Sequence, residues 1–175
     1  MQQQIPIFVA NDNGRYMIEL TLTINKRLVY EEVAKTTSYT GNKQSGDDEK
    51  AYDRIATTDA DKLMLERFWN ECCNESTDQL KQFVVSVSSQ PVSNGLNMDS
   101  NYEVKLELSG SYDTSLNDSV QTALFSFFVS GIISKWYRFA NKKETEEYAV
   151  EADKQMASVI QKVYYRKKPT RKIPT

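Results

Sequence analysis

The chain has 175 residues, a length typical of one domain, of which 39% are apolar and 26% are charged. With only 6 glycines and 4 prolines, the composition excludes disordered and collagen-like chains and predicts a globular protein. There is no histidine, which excludes Ser-His-Asp and Cys-His catalysis, histidine general bases and histidine-ligated zinc. Most familiar enzyme chemistries are therefore absent, and we predict no cofactor and no metal site. An enzyme of unknown type stays open as a third hypothesis, and it would need a site built on carboxylates or thiols.

The net charge of −2 conceals an uneven distribution along the chain. Residues 164–175 carry five cations and no acid, which leaves 17 basic against 24 acidic side chains in the rest. The body therefore carries about −7 and the tail about +5, so the two regions would attract opposite partners. The start of the chain has neither a basic region nor a long apolar run, which predicts synthesis in the cytoplasm without a signal peptide.

Three segments alternate apolar and polar residues, as strands with one buried face do. The clearest segment is 16–24, and 102–108 is equally regular. A shorter apolar run at 5–9 precedes the Asn11–Gly14 turn, and Pro6 would place that run at the edge of a sheet. The sequence therefore predicts a small antiparallel sheet from these three strands.

A short helix near 28–35 is the first helical element that the apolar spacing predicts. Residues 36–50 are rich in Ser, Thr, Gly and Asp and are predicted to form an exposed loop. The glycines Gly41 and Gly46 in that loop are not followed by the Lys-Ser/Thr pair of a phosphate-binding loop, so a solvated loop is favoured over nucleotide binding.

A second helix is predicted near 58–82, with a capping-box pattern at its start. Cys72 and Cys73 lie on its apolar stripe and are interpreted as buried packing residues, with a redox switch as the alternative. Residues Phe83 to Ser88 are rich in valine, so this stretch is compatible with either a helix end or a strand.

The third helix, near 116–139, is apolar nearly all round. Trp136 on this helix and Trp69 on the preceding one are predicted to anchor the core. Such a helix is either central to the core or buried on two sides, one of them against another subunit. The candidates for that subunit interface are Phe125, Val129 and Ile133.

The last helix is predicted near 144–165, and Pro169 then stops helical structure. We predict an α+β, predominantly helical fold, with a helix bundle and a small antiparallel sheet in a single domain, 1–163. Residues 164–175 form an extended basic C-terminal arm. The arm is predicted to dock on an acidic partner through Tyr164, Tyr165, Arg166, Lys167, Lys168, Arg171, Lys172 and Ile173.

Two other interpretations of the arm remain open. It is compatible with a nonspecific solubilising tail, and it is compatible with contact to a nucleic-acid backbone. A protein partner is favoured because the acidic body would repel a nucleic acid that came close.

Four segments together resemble a group of small virion proteins. They read VYEEVAKTTSYTG at 29–41, AYDRIATTDADKLMLERFWNECCNESTDQL at 51–80, ALFSFFVSGIISKWY at 123–137 and KVYYRKKPTRKIP at 162–174. The group resembled is the head–tail connector, neck or tail proteins of tailed phages of gut Bacteroidales, including crAss-like phages. The similarity covers most of the chain from Leu28 onward and assigns no functional residue.

The resemblance implies a structural subunit of the virion that is not an enzyme and is made in the cytoplasm of the host bacterium. Its implied partners are further copies of itself in a ring, with a dodecamer suggested, together with the portal protein and adjacent connector or tail proteins. The protein would contact DNA at most in the lumen of the ring, and no membrane partner is implied. The alternative function is a nucleic-acid-binding or DNA-packaging accessory that uses the basic C-terminal tail.

Overall fold

The computed structural model describes residues 7–10, 16–46, 48, 50–88 and 100–168. Within these ranges, one antiparallel sheet has the strand order β1-β2-β4-β3. The strands are β1 (Ile7–Ala10), β2 (Tyr16–Asn25), β3 (Val84–Ser88) and β4 (Asn101–Ser109). The helices are α1 (Lys26–Gln44), α2 (Ala51–Ile55), α3 (Lys62–Leu80), α4 (Asn117–Ala140) and α5 (Thr145–Tyr164). The predicted α+β, predominantly helical class is confirmed.

The centre of the sheet is the β2–β4 pair, which is continuous from Met17 opposite Ser109 to Asn25 opposite Asn101. The predicted hairpin is present because β1 pairs antiparallel with β2, although Pro6 and the Asn11–Gly14 turn lie outside the described residues. Residues 84–88 are a strand, which decides the boundary that the sequence left open. A β-bulge near the start of β3 interrupts its register with β4.

Helix α1 is longer than predicted, and the expectation of a loop at 36–50 is wrong for residues 36–44. The polar residues Thr37 and Thr40 are buried, so their polarity does not mark an exposed loop. Gly41 lets α2 approach closely, since a Cβ at this position would lie 3.0 Å from the Cα of Tyr52. Tertiary packing therefore outweighs the weak helix propensity of Ser, Thr and Gly.

Helix α4 is the centre of the molecule. It packs against α1, α3, α5 and the inner face of β2, which explains why its sequence is apolar nearly all round. Trp69 and Trp136 are both buried, as predicted. Across the described ranges, no helix combines the length and the apolar character needed to cross a membrane.

Candidate functional site

The sheet has one face covered by helices and an opposite face whose described side chains are exposed or half-buried. Residues of β2 and β4 that point inward are buried, among them Leu20, Leu22, Val104 and Leu106. The opposite face, here called the open face, consists of Met17, Glu19, Thr21, Thr23 and Asn25 of β2 and Asn101, Glu103, Lys105, Glu107 and Ser109 of β4.

The open face is acidic and contains a like-charge pair. Glu19 and Glu107 lie directly opposite each other in the β2–β4 register. Opposed like charges on one face of a sheet destabilise it unless a cation lies near. Lys105 shares the face, yet no ion pair joins it to Glu19 or Glu107 in the described part of the chain. The two carboxylates are therefore opposed without an ion pair of their own in that part of the chain.

Both outer strands of the sheet have an edge that pairs with no other described strand. Among the described residues, β1 pairs only with β2, and β3 pairs only with β4. Val85 at the β3 edge is 55% exposed, although valine is usually buried. Unpaired backbone groups along such an edge are able to bind a strand of another chain.

The first residues of the predicted docking arm belong to the domain. The Tyr164 ring packs edge-on against Phe83 with centroids 4.9 Å apart. Arg166 forms an antiparallel bridge with Tyr112, and the Lys167 N–H donates to the Ser111 carbonyl across 2.8 Å. The arm boundary at 164 is therefore wrong, because backbone pairing holds the chain as far as Lys167.

The rest of the predicted arm divides into two parts. Tyr165 and Lys168 are exposed. Arg171, Lys172 and Ile173 lie outside the described residues, so their docking role stays a prediction.

The candidates for a subunit interface on α4 are covered by the chain itself. Phe125 and Val129 are partly buried against the core, and Ile133 is only 1% exposed. Ile133 is therefore excluded as a contact residue on this fold. The apolar character of α4 follows from its central position and gives no separate evidence for a second subunit.

A buried ion pair that the sequence analysis missed joins α1 to α3. The Lys26 ammonium lies 2.8 and 3.0 Å from the two carboxylate oxygens of Glu66, and the Tyr30 hydroxyl donates to the same carboxylate across 3.3 Å. Burial and the Glu66 charge raise the pKa of Tyr30 above its usual range. Lys26 also lies 5.5 Å from the centre of the Trp69 ring. These contacts give Lys26 a structural role in the core, because its ammonium is bonded to Glu66 and is not available for acid–base chemistry.

The position of Lys26 carries a signal that could have revealed this pair. Along β2 the buried residues are the even-numbered ones, and Lys26 continues that parity one step beyond Ile24. A cation on the inward parity of a strand requires a buried partner.

The two cysteines are buried and free, which confirms their interpretation as packing residues. Burial raises the pKa of Cys72 above its usual range and that of Cys73 to about 12. Both thiols therefore stay protonated near neutral pH, and neither supplies a nucleophilic thiolate.

A shallow groove of about 400 Å³ lies between the first half of α4 and the second half of α5. Its lining is mainly polar and includes Asp118, Thr122 and Gln155. The Lys162 ammonium at this groove donates to the Ser119 carbonyl across 3.2 Å, so its charge is directed at the backbone rather than into the groove.

No group of three or more Cys, Asp or Glu side chains in the described ranges is placed to hold a metal ion. No protein-family model, no curated protein and no solved structure matches the chain. The open face, the two free edges and the anchored base of the arm are therefore the features from which a function is argued.

Proposed function

We propose that the chain is a structural subunit of a tailed-phage virion, without catalytic activity, that forms part of the head–tail connector or neck ring between portal and tail. Two features support this proposal. One is the resemblance of residues 29–41, 51–80, 123–137 and 162–174 to virion connector and tail proteins. The other is the geometry of the sheet edges, which carries the argument for a ring.

The two free edges run in opposite directions. Because neighbouring strands in the order β1-β2-β4-β3 are antiparallel, β1 and β3 point opposite ways. A second copy in the same orientation would place its β1 beside β3 of the first copy and continue the antiparallel pattern. Such a contact uses different surfaces on the two subunits, and contacts of this kind form a ring when the rotation between neighbouring subunits closes.

The partners in this proposal are further copies of the chain, the portal protein and the adjacent connector or tail proteins. The site of action is the virion, after synthesis in the bacterial cytoplasm. DNA would pass through the lumen of the ring without being recognised by sequence, because the open face is acidic and would repel phosphates.

The test is the copy number of the chain in purified particles. Quantitative mass spectrometry of virions should find about one copy per portal subunit if the ring matches the symmetry order of the portal, and in any case a fixed number of copies in each particle. Cross-linking of intact particles should join the chain to portal or tail components. Absence from the particle, with salt-sensitive binding to DNA in the lysate, would instead support the packaging-accessory function.

A further inference from the structure

We propose that Gln121 of α4 prevents another strand from adding to the outer edge of β2, by occupying the backbone N–H and carbonyl of Thr23. The edge in question, here called the β2 edge, consists of the backbone groups of Thr21 and Thr23 that point away from β4. Without this contact, the β2 edge would pair with the β2 edge of a second copy of the chain. The contact lies within one subunit, so the proposal does not rest on the proposed ring.

The β2 edge extends past the described part of β1, which is much shorter than β2. Strand β1 spans four residues and β2 spans ten, and Ile7 opposite Glu19 is the last pair that joins them in the described ranges. Beyond Glu19, β2 continues to pair with β4 on its other side as far as Asn25. Because backbone groups of alternate residues in an antiparallel sheet point to opposite sides, those of Thr21 and Thr23 point to the same side.

Gln121 lies beside this edge with a side chain that resembles a peptide group. The Thr23 N–H donates to the Gln121 Oε1 across 3.2 Å, and the Gln121 Nε2 donates to the Thr23 carbonyl. One carboxamide thus makes both hydrogen bonds that a residue of a neighbouring antiparallel strand would make. Val120 and Leu124, on the same part of α4, are fully buried and hold the helix against the core. The position of Gln121 beside the β2 edge is therefore fixed.

The contact is not needed to satisfy buried polar groups. Thr23 is exposed and Gln121 is half-buried, so water is able to bond to the same N–H and carbonyl. Holding a glutamine side chain in one conformation also costs entropy. What the contact changes is access by other chains, because unpaired groups at a sheet edge bind strands of another molecule and native proteins block such edges.

Occupying Thr23 alone is sufficient because the β2 edge is short. The next residue with the same backbone direction, Asn25, caps α1 by accepting the Leu28 N–H across 3.0 Å, so the chain leaves the sheet there. A second copy would therefore have only Thr21 to pair with, which is too little for a stable strand. Without the Gln121 side chain, two copies are able to pair across a two-fold axis, with Thr21 of each opposite Thr23 of the other.

The test compares Gln121→Ala with Gln161→Ala, which is the same substitution at an exposed glutamine on α5. Both are made in the full-length chain carrying Val85→Lys, because a lysine blocks pairing at the β3 edge and so removes the proposed ring from the measurement. Amide hydrogen exchange and native mass are measured at low and at high protein concentration. The amide of Leu22, which is paired with Val104 of β4, reports whether the sheet stays folded.

At low concentration, the Thr23 amide of Gln121→Ala should exchange about tenfold faster than that of the control, with Leu22 unchanged. At high concentration, the Thr23 amide should regain its protection as the mass rises from 20.1 kDa to twice that value. The control should stay at 20.1 kDa, with a protected Thr23 amide, at both concentrations.

Three results would each overturn the proposal. Equal Thr23 exchange in the two variants would mean that the contact does not exist in solution. A Thr23 amide that is freed in Gln121→Ala without a dimer at high concentration would mean that the β2 edge needs no block. Faster exchange at Leu22 as well would give Gln121 a role in holding the sheet together instead. The native mass of the chain without these substitutions tests the ring separately.

Discussion

The indole N–H of Trp136 donates a hydrogen bond to the backbone carbonyl of Ile55 across 2.7 Å, which joins the middle of the core to the end of α2. Replacing Trp136 by Ala should lower the free energy of unfolding by about 3–5 kcal/mol, through lost burial and a residual cavity. Trp136→Phe keeps most of the ring and leaves the Ile55 carbonyl unpaired, which should cost about 1–3 kcal/mol. Urea unfolding measures both; a Trp136→Phe variant as stable as the wild type would mean that the hydrogen bond contributes nothing.

Gly131 of α4 lies against Cys72 of α3. A Cβ at this position would lie 3.0 Å from the Cys72 sulfur, so Gly131→Ala should destabilise the wild-type chain by about 1–3 kcal/mol. In a Cys72→Ala background the obstructing sulfur is gone, and the same substitution should stabilise the helix by up to about 1 kcal/mol. A double-mutant cycle by urea unfolding checks this change of sign; the same effect in both backgrounds would contradict the packing argument.

Removing one member of the buried ion pair of Lys26 and Glu66 should destabilise the protein more than removing both. Lys26→Met leaves a largely buried carboxylate without its ammonium and should cost about 3 kcal/mol, whereas Lys26→Met with Glu66→Leu should recover at least half of that loss. The matched control is Lys35→Met, in an exposed pair with Glu32, which should change stability by less than about 0.5 kcal/mol. If Lys26→Met and Lys35→Met lowered the free energy of unfolding by similar amounts, the Lys26–Glu66 pair would not be a buried ion pair.

Ionisation of Tyr112 should account for part of the loss of stability at alkaline pH. Its hydroxyl is buried without a hydrogen-bond partner in the described structure, and burial followed by the Asp113 charge raises its pKa to about 12. The ordinary pKa of tyrosine, about 10, applies to the unfolded chain. The contribution of the neutral Tyr112 hydroxyl to the free energy of unfolding is therefore fully present below about pH 10 and is lost as the pH rises toward 12.

Tyr112→Phe removes the titrating group and should be nearly neutral at pH 7. Between about pH 10 and 12, its free energy of unfolding should fall less than that of the wild type, by on the order of 1–2 kcal/mol. Unfolding curves at several pH values measure the difference. Parallel pH profiles for the two proteins would contradict the raised pKa.

The regular parts of the fold could be predicted from the sequence because each repeats a simple pattern. Alternation at 16–24 and 102–108 located β2 and β4 to within one or two residues, and apolar spacing located α3, α4 and α5. The capping box at Thr58 is present, with its backbone N–H and its hydroxyl both donating to the Asp61 carboxylate across 2.8 Å.

The missed parts depend on contacts between distant residues. The second half of α1 is helical because Thr37 and Gly41 pack within the fold, which local propensity does not record. The bulge near Val85 disturbs the alternation that would have identified β3. Pairing of Arg166 with Tyr112 uses backbone groups, so the side chains gave no sign that the arm begins inside the domain.

The central claim, that subunits join through the free edges of the sheet, is tested most directly by the native mass of the full-length chain and of Val85→Lys. A lysine at an edge strand blocks further pairing, and Val85 is 55% exposed, so the fold should tolerate it. Val150→Lys is the matched control, because Val150 is 60% exposed on α5. The account predicts a closed multimer for the wild type and for Val150→Lys, and a 20.1 kDa monomer for Val85→Lys. A wild-type chain that stays at 20.1 kDa, or a Val85→Lys variant that assembles as the wild type does, would contradict it.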